Sequence, residues 1–144
     1  MEVFTIGFTK KSARQFFDSL KAANIKIVYD VRLNNKSQLS GFAKGADLEY
    51  FLRAIAGMKY NHLTKAAPTE ELLKKWRKGE ITWEQYEEAY LEMLKEREID
   101  EIIRREDLNN ACFLCSESTP EKCHRRLLVE YLKEKIPEIK ITHI

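Results

Sequence analysis

Ile25-Lys26-Ile27-Val28-Tyr29-Asp30-Val31 is β-branched or aromatic almost throughout. A strand with one wet face alternates apolar and polar residues. A run that is nearly continuous in apolar character suits a parallel strand covered on both faces. Working outward, Val3-Phe4-Thr5-Ile6-Gly7 reads as a strand before it. Ser12 then caps a helix whose stripe is Phe16, Phe17 and Leu20. Downstream, Leu33 to Gly45 is a polar connection with Asn34, Asn35, Ser37, Gln38 and Ser40, long enough to be a binding loop or lid. Asp47 to Ala56 carries Leu48, Phe51, Leu52 and Ile55 at helical spacing, with Gly57 as its stop. Met58 to Leu63 reads as a strand and Thr69 to Lys78 as a short helix. Thr82-Trp83-Glu84-Gln85 is a capping box opening a helix with Tyr86, Tyr90, Met93 and Leu94 that runs on or breaks before Ile102. Ala111 to Cys115 is a strand. Thr119-Pro120-Glu121 looks like a cap and first turn leading to Leu127, Leu128, Tyr131 and Leu132. Pro137 ends that helix, and Ile139 to Ile144 is a last strand. This alternation predicts one α/β domain over residues 1–144. It should have three layers, a mostly parallel sheet of about five strands, and helices on both faces.

Composition supports a folded, cytoplasmic protein. Of 144 residues, 44% are hydrophobic and 33% charged, enough apolar material for a core. No apolar run approaches the ~20 residues of a membrane helix. The N-terminal MEVFTIGFTKK puts its lysines after its apolar residues, the reverse of a secretory signal. Three cysteines do not make a disulfide framework. Lys plus Arg number 25 against 23 Asp plus Glu, and a net charge of +2 gives no support to nucleic-acid binding.

In an open parallel sheet, ligands bind beyond the carboxyl ends of the strands. That rule selects Gly7 and Thr9, Asp30-Val31-Arg32, His62, and the stretch Cys115-Ser116-Glu117-Ser118-Thr119-Pro120-Glu121-Lys122-Cys123-His124-Arg125-Arg126. With Thr119 as cap, Cys123 and His124 lie a turn into the helix. The helix dipole there lowers a thiol pKa from ~8.5 into the range ~3.5–7.5. The plainer reading is that Cys123 is a small buried hydrophobe. Arg125 can grip a phosphate or carboxylate in a bidentate way. Asp30, at the end of a buried strand, needs a partner. It either orients Arg32, which would hold an anion, or a ligand hydroxyl, or it closes an internal salt bridge that ties this strand to a neighbouring loop. Glu117 has the chemistry to orient His124, with Cys115 as a second candidate nucleophile. Lys10, Lys36 and Lys44 flank the rim. Tyr86 and Tyr90 read as core, and Trp76 and Trp83 as core or lid. Zinc is disfavoured. Cys112 and Cys115, three apart on a strand, point to opposite faces, Phe113 and Leu114 between them are apolar, and the step to Cys123 is short.

Ile6-Gly7-Phe8-Thr9, Asp30-Val31-Arg32, Gly41-Phe42, Tyr60-x-His62-Leu63 and Cys115-x-Glu117-x5-Cys123-His124-Arg125 occur in this order. The combination closely resembles the family named domain of unknown function 488, over essentially the whole chain. The resemblance implies a compact prokaryotic α/β domain and no established reaction. It puts Gly7, Asp30, Arg32, Cys115, Glu117, Cys123, His124 and Arg125 on signature positions. This chain departs where many members have a His, here Phe8, and where many have a Pro after Asp-Val-Arg, here the Asn34-Asn35 stretch.

The leading expectation is therefore a rim site for a phosphate-bearing or otherwise anionic small molecule, a nucleotide included. Gly7, Thr9, Asp30, Arg32 and Arg125 would bind it, and Cys123 or Cys115 would act with His124 and Glu117. No metal and no cofactor are expected. The rivals are a nucleic-acid-binding module using Lys10, Lys11, Lys36, Lys44 and the polar loop, and a non-catalytic protein-interaction domain.

Overall fold

The computed structural model describes residues 1–36 and 41–144, so Ser37, Gln38 and Ser40 of the polar loop lie outside the described residues. Five strands form one sheet: β1 (Glu2–Gly7), β2 (Ile27–Asp30), β3 (Lys59–His62), β4 (Ala111–Cys115) and β5 (Lys140–His143). Their order is β3-β2-β4-β1-β5, and every neighbouring pair is parallel. The helices are α1 (Ala13–Ala22), α2 (Gly45–Ala56), α3 (Glu70–Arg77), α4 (Trp83–Glu96), α5 (Ile99–Ile102) and α6 (His124–Lys135).

Local chemistry sets most of the boundaries. Ser12 and Thr82 each close a full capping box, with Gln15 and Gln85 returning the hydrogen bond. Gly57 ends α2 in the left-handed region at φ 63°. The long helix does break before Ile102, because Glu98 adopts φ 51° and α5 starts afresh after it. The last helix departs from expectation. Thr119 and Pro120 do not open it. The Cys123 amide donates to the Pro120 carbonyl at 3.2 Å, closing a turn, and Cys123 itself is extended (φ −136°, ψ 138°) as the residue before the first helical one.

Strand alternation divides the core in two. Phe4, Ile6, Val28, Cys112 and Leu114 pack with Phe16, Phe17, Leu20, Leu48 and Leu52 of α1 and α2. Val3, Tyr29, Phe113 and Cys115 pack with Tyr86, Tyr90, Leu94, Leu127 and Leu128 of α4 and α6. Helices thus cover both faces, and Cys112 and Cys115 do point to opposite sides. The chain leaves β1 and β2 toward the first face and β4 toward the second. These connections part around β4, and a crevice opens at its carboxyl end.

Candidate thiol–imidazole site

The strand register brings the chemistry to this crevice. Gly7 pairs with Cys115, and Asp30 pairs with both Leu114 and His62. A cavity of about 600 Å³ lies above, lined by Arg32, Cys115, Ser116, Glu117, Cys123 and His124 on one side and by α3 and α4 on the other.

The ligand-type atoms of Cys115, Cys123 and His124 all lie within 4.8 Å of one another, and all three residues are buried. His124 Nε2 sits 2.8 Å from the Val31 carbonyl. A carbonyl only accepts, so Nε2 carries the proton and Nδ1 is the variable nitrogen. Cys115 Sγ is 3.7 Å from both ring nitrogens. A sulfur equidistant from two nitrogens lies on the axis of neither lone pair. The contact singles out neither nitrogen as its partner. A metal shared by the three donors would have to lie on the Nδ1 axis, so the ring would have to turn to accept one.

The hydrogen bond from Cys123 holds the Cys115 thiol well below its usual range, against burial, and the neighbouring imidazolium adds to this. Burial opposes charge on His124, yet the Cys115 thiolate and the Val31 carbonyl outweigh it and raise its pKa. Cys123 moves the other way. Its bond to Cys115, then burial, then the adjacent negative charge push its thiol up. Negative charge in this cluster is thus favoured on Cys115 and positive charge on His124, while Cys123 is held toward its neutral thiol.

Below this cluster lies a second network. Asp30 takes two bonds from the Arg32 side chain, Nε at 2.8 Å and Nη2 at 2.7 Å, and one from the Tyr60 hydroxyl at 2.6 Å. Arg32 Nη2 also reaches the Ala43 carbonyl at 2.7 Å, and Asn35 Nδ2 donates to the Tyr60 hydroxyl at 2.9 Å. His62 Nε2 is 2.8 Å from the Arg32 carbonyl. Burial works against the Asp30 carboxylate, but the Arg32 bonds prevail and lower its pKa. The guanidinium carbon lies 5.1 Å from the centre of the Phe8 ring. Its Nη1 is buried with no hydrogen-bond partner among the described residues.

A family model described as "Domain of unknown function DUF488" matches residues 12–132. The chain belongs to the DUF488 family. No curated protein and no solved structure matches it.

Of the residues singled out in the sequence, Arg32, Cys115, Glu117, Cys123 and His124 meet at the cavity. The others stand behind it. Asp30 is fully buried beneath Arg32. Arg125, 1% exposed, spends its guanidinium on the Glu117 carbonyl (2.6 Å), Thr5 Oγ1 (3.3 Å) and Cys123 Sγ (3.6 Å). Gly7 touches the loop after β4, where any β-carbon would overlap the Glu117 carbonyl. Thr9 is exposed, and its amide donates to the Ser116 carbonyl at 3.1 Å. The group orienting His124 is the Val31 carbonyl; among the described residues no hydrogen bond joins it to the Glu117 side chain. Lys11 Nζ donates to the Gly7 carbonyl at 2.8 Å, so that ammonium serves the strand end.

The far wall takes in Trp76 and Trp83, which the sequence left open as core or lid, and Tyr86, read there only as core. Trp76, Trp83 and Tyr86 line the cavity, with Trp83 and Tyr86 stacked at 5.1 Å and 19°. Tyr90 continues the series to the edge of His124, 5.5 Å away. Lys74, Arg77 and Lys122 stand at the same cavity. The capping box at Thr82 was the available signal, since it fixes which face of α4 each aromatic takes.

Proposed function

We propose that the cavity at the end of β4 binds a small anionic molecule, a phosphate-bearing one foremost, and presents it to the Cys115 thiolate. The observation that carries this reading is Arg32 Nη1. Every other donor of that guanidinium is engaged with Asp30 or Ala43, whereas Nη1 is buried without a partner among the described residues, in a residue that lines the cavity. A buried donor left unmade costs about 1–3 kcal/mol, which an anion would recover. Arg77 and Lys122 add positive charge at the cavity, with Lys74 paired to Glu70 and Glu117 as the other acid of the lining, and the Cys115–His124 pair adds no net charge. Trp76 and Trp83, both partly exposed, line the cavity, and stacking of a base on an aromatic ring contributes ~1–3 kcal/mol. A nucleotide combines both features.

In this reading Cys115 is the nucleophile and His124 the acid and base beside it. Cys123, its sulfur within 4.8 Å of that of Cys115, takes a supporting role; the sequence left both thiols open as the attacking one. Arg125 and Gly7 position the loop 116–122, and Asp30 holds Arg32. Arg32→Lys keeps a cation opposite Asp30 and removes Nη1. Calorimetric titration with inorganic phosphate and with a nucleoside monophosphate should show binding to the wild type, tighter for the nucleotide. In Arg32→Lys it should weaken tenfold or more. A folded Arg32→Lys protein that binds phosphate as well as wild type would overturn the reading.

A further inference from the structure

We infer that this cavity carries out dithiol–disulfide exchange: Cys115 attacks a small anionic disulfide, Cys123 resolves the mixed disulfide, and a Cys115–Cys123 bridge results. The inference rests on the reading of the cavity as an anion site, and it names the substrate class. Its geometric basis is that two sulfurs and one imidazole, mutually within 4.8 Å, line the same cavity. Cys115 ends a central strand and is fixed by the sheet register. Cys123 sits at the end of the irregular loop 116–122, ahead of α6. That loop is held by Thr9 N–H to Ser116, Cys123 N–H to Pro120 and Arg125 to Glu117. Cys115 is fixed within the sheet, so Cys123, outside it, is the sulfur that must move to reach the ~2.05 Å of a disulfide bond. Cys112, facing the opposite core, takes no part.

The chemistry balances with one named co-reactant, a low-molecular-weight disulfide RSSR. The Cys115 thiolate attacks one sulfur, the RS–SR bond breaks, and the departing thiolate takes the His124 proton and leaves as RSH. Cys123 then passes its proton to the neutral His124 and attacks Cys115 Sγ. The Cys115–SR bond breaks, and the second RS⁻ takes that proton. Two protein thiols lose two electrons and RSSR becomes two RSH. The order of attack is built in. While Cys115 is a thiolate, Cys123 is held protonated by it. Once Cys115 is a neutral mixed disulfide, that hold disappears. Arg125 Nη1, 3.6 Å from Cys123 Sγ, then favours the second thiolate.

The test incubates reduced protein with glutathione disulfide (anionic) or cystamine (cationic) and maps cysteines by mass spectrometry. The wild type should lose two hydrogens and yield a Cys115–Cys123 cross-linked peptide, several-fold faster with the anionic reagent. Cys123→Ser should accumulate glutathione on Cys115, Cys115→Ser should not react, and Cys112→Ala should behave as wild type. The inference is overturned if Cys115 reacts with iodoacetamide yet no bridge forms. It is equally overturned if reduced wild type retains stoichiometric zinc that blocks both thiols. Phosphate titration of Cys115→Ser, which keeps Arg32, separates the two readings. Phosphate binding without a bridge sinks only the exchange; a bridge without phosphate binding sinks only the anion site.

Discussion

Gly7 is where one hydrogen atom in place of a methyl decides the position of the reactive loop. An added β-carbon would overlap the Glu117 carbonyl oxygen and come 2.7 Å from its carbon, a backbone contact that no side-chain rotation relieves. Gly7→Ala should cost about 1–3 kcal/mol, the usual scale of overpacking, as a lowered urea midpoint. It should also change the rate of Cys115 alkylation, because the displaced segment carries Cys123. A midpoint and rate equal to wild type would mean that the loop has another way to run. His124 governs the same thiol by charge. An ordinary thiol is only about 0.3% ionised at pH 6. Cys115, with its pKa held down by Cys123 and His124, should still react with iodoacetamide there. His124→Gln keeps an N–H for Val31 but no cation, so its alkylation profile should move to higher pH. An unmoved profile would show that the imidazolium does not stabilise the thiolate.

Helix α6 shows how an element can be read correctly in kind and wrongly in register. Thr119-Pro120-Glu121 has the composition of a helix start, but Cys123 bonds back to Pro120 and the true start is His124. The competing order came from Arg125, which reaches back eight residues to the Glu117 carbonyl, a contact no local pattern announces. That same contact moves Arg125 from the ligand side of the site to its foundation. Arg125→Met, similar in length, leaves the Glu117 carbonyl without its donor, while the Thr5 hydroxyl keeps His143 Nδ1 at 2.6 Å. It should lower unfolding free energy by about 1–3 kcal/mol in urea titrations. Phosphate affinity should change less than in Arg32→Lys. The reverse ranking of the two variants would restore Arg125 to the binding surface. The aromatics of α4 were equally ambiguous in sequence. Tyr86 and Tyr90 at helical spacing read as core, and both are buried, yet Tyr86 also lines the cavity. Burial and site-lining coincide at a cavity wall, and periodicity reports only the first.

Across the whole molecule, what was legible is what alternation and strand composition determine. The mostly parallel five-stranded sheet and its two covered faces follow from the order of β-rich and helical runs, whereas the place of the crevice beyond β4 depends on the sheet order, which no single run announces. The details of the site were not legible, because they depend on which side chains cross between elements. The Asp30 network is the widest of these crossings. Through Arg32, Tyr60 and Asn35 it ties the ends of β2 and β3 to Ala43, just before α2, and Asn35 also accepts from the Gly45 amide at 2.8 Å. Its pH dependence has a definite sign. The folded Asp30 pKa is depressed, so its stabilisation is present above the ordinary aspartate value of ~3.9 and is lost as pH falls through the folded value. Other carboxylates titrate in the same window, so wild-type acid unfolding alone cannot isolate it. Asp30→Asn can. It leaves the Arg32 cation buried and unpaired, which should cost about 3–5 kcal/mol at pH 7. It also removes the titrating group. The gap between wild type and variant should therefore be largest at pH 7 and narrow as pH falls below the ordinary aspartate value. Urea midpoints at pH 7 and pH 3 measure both ends. If the two proteins lose stability in parallel over that range, Asp30 is not the group that links the sheet to α2 through charge.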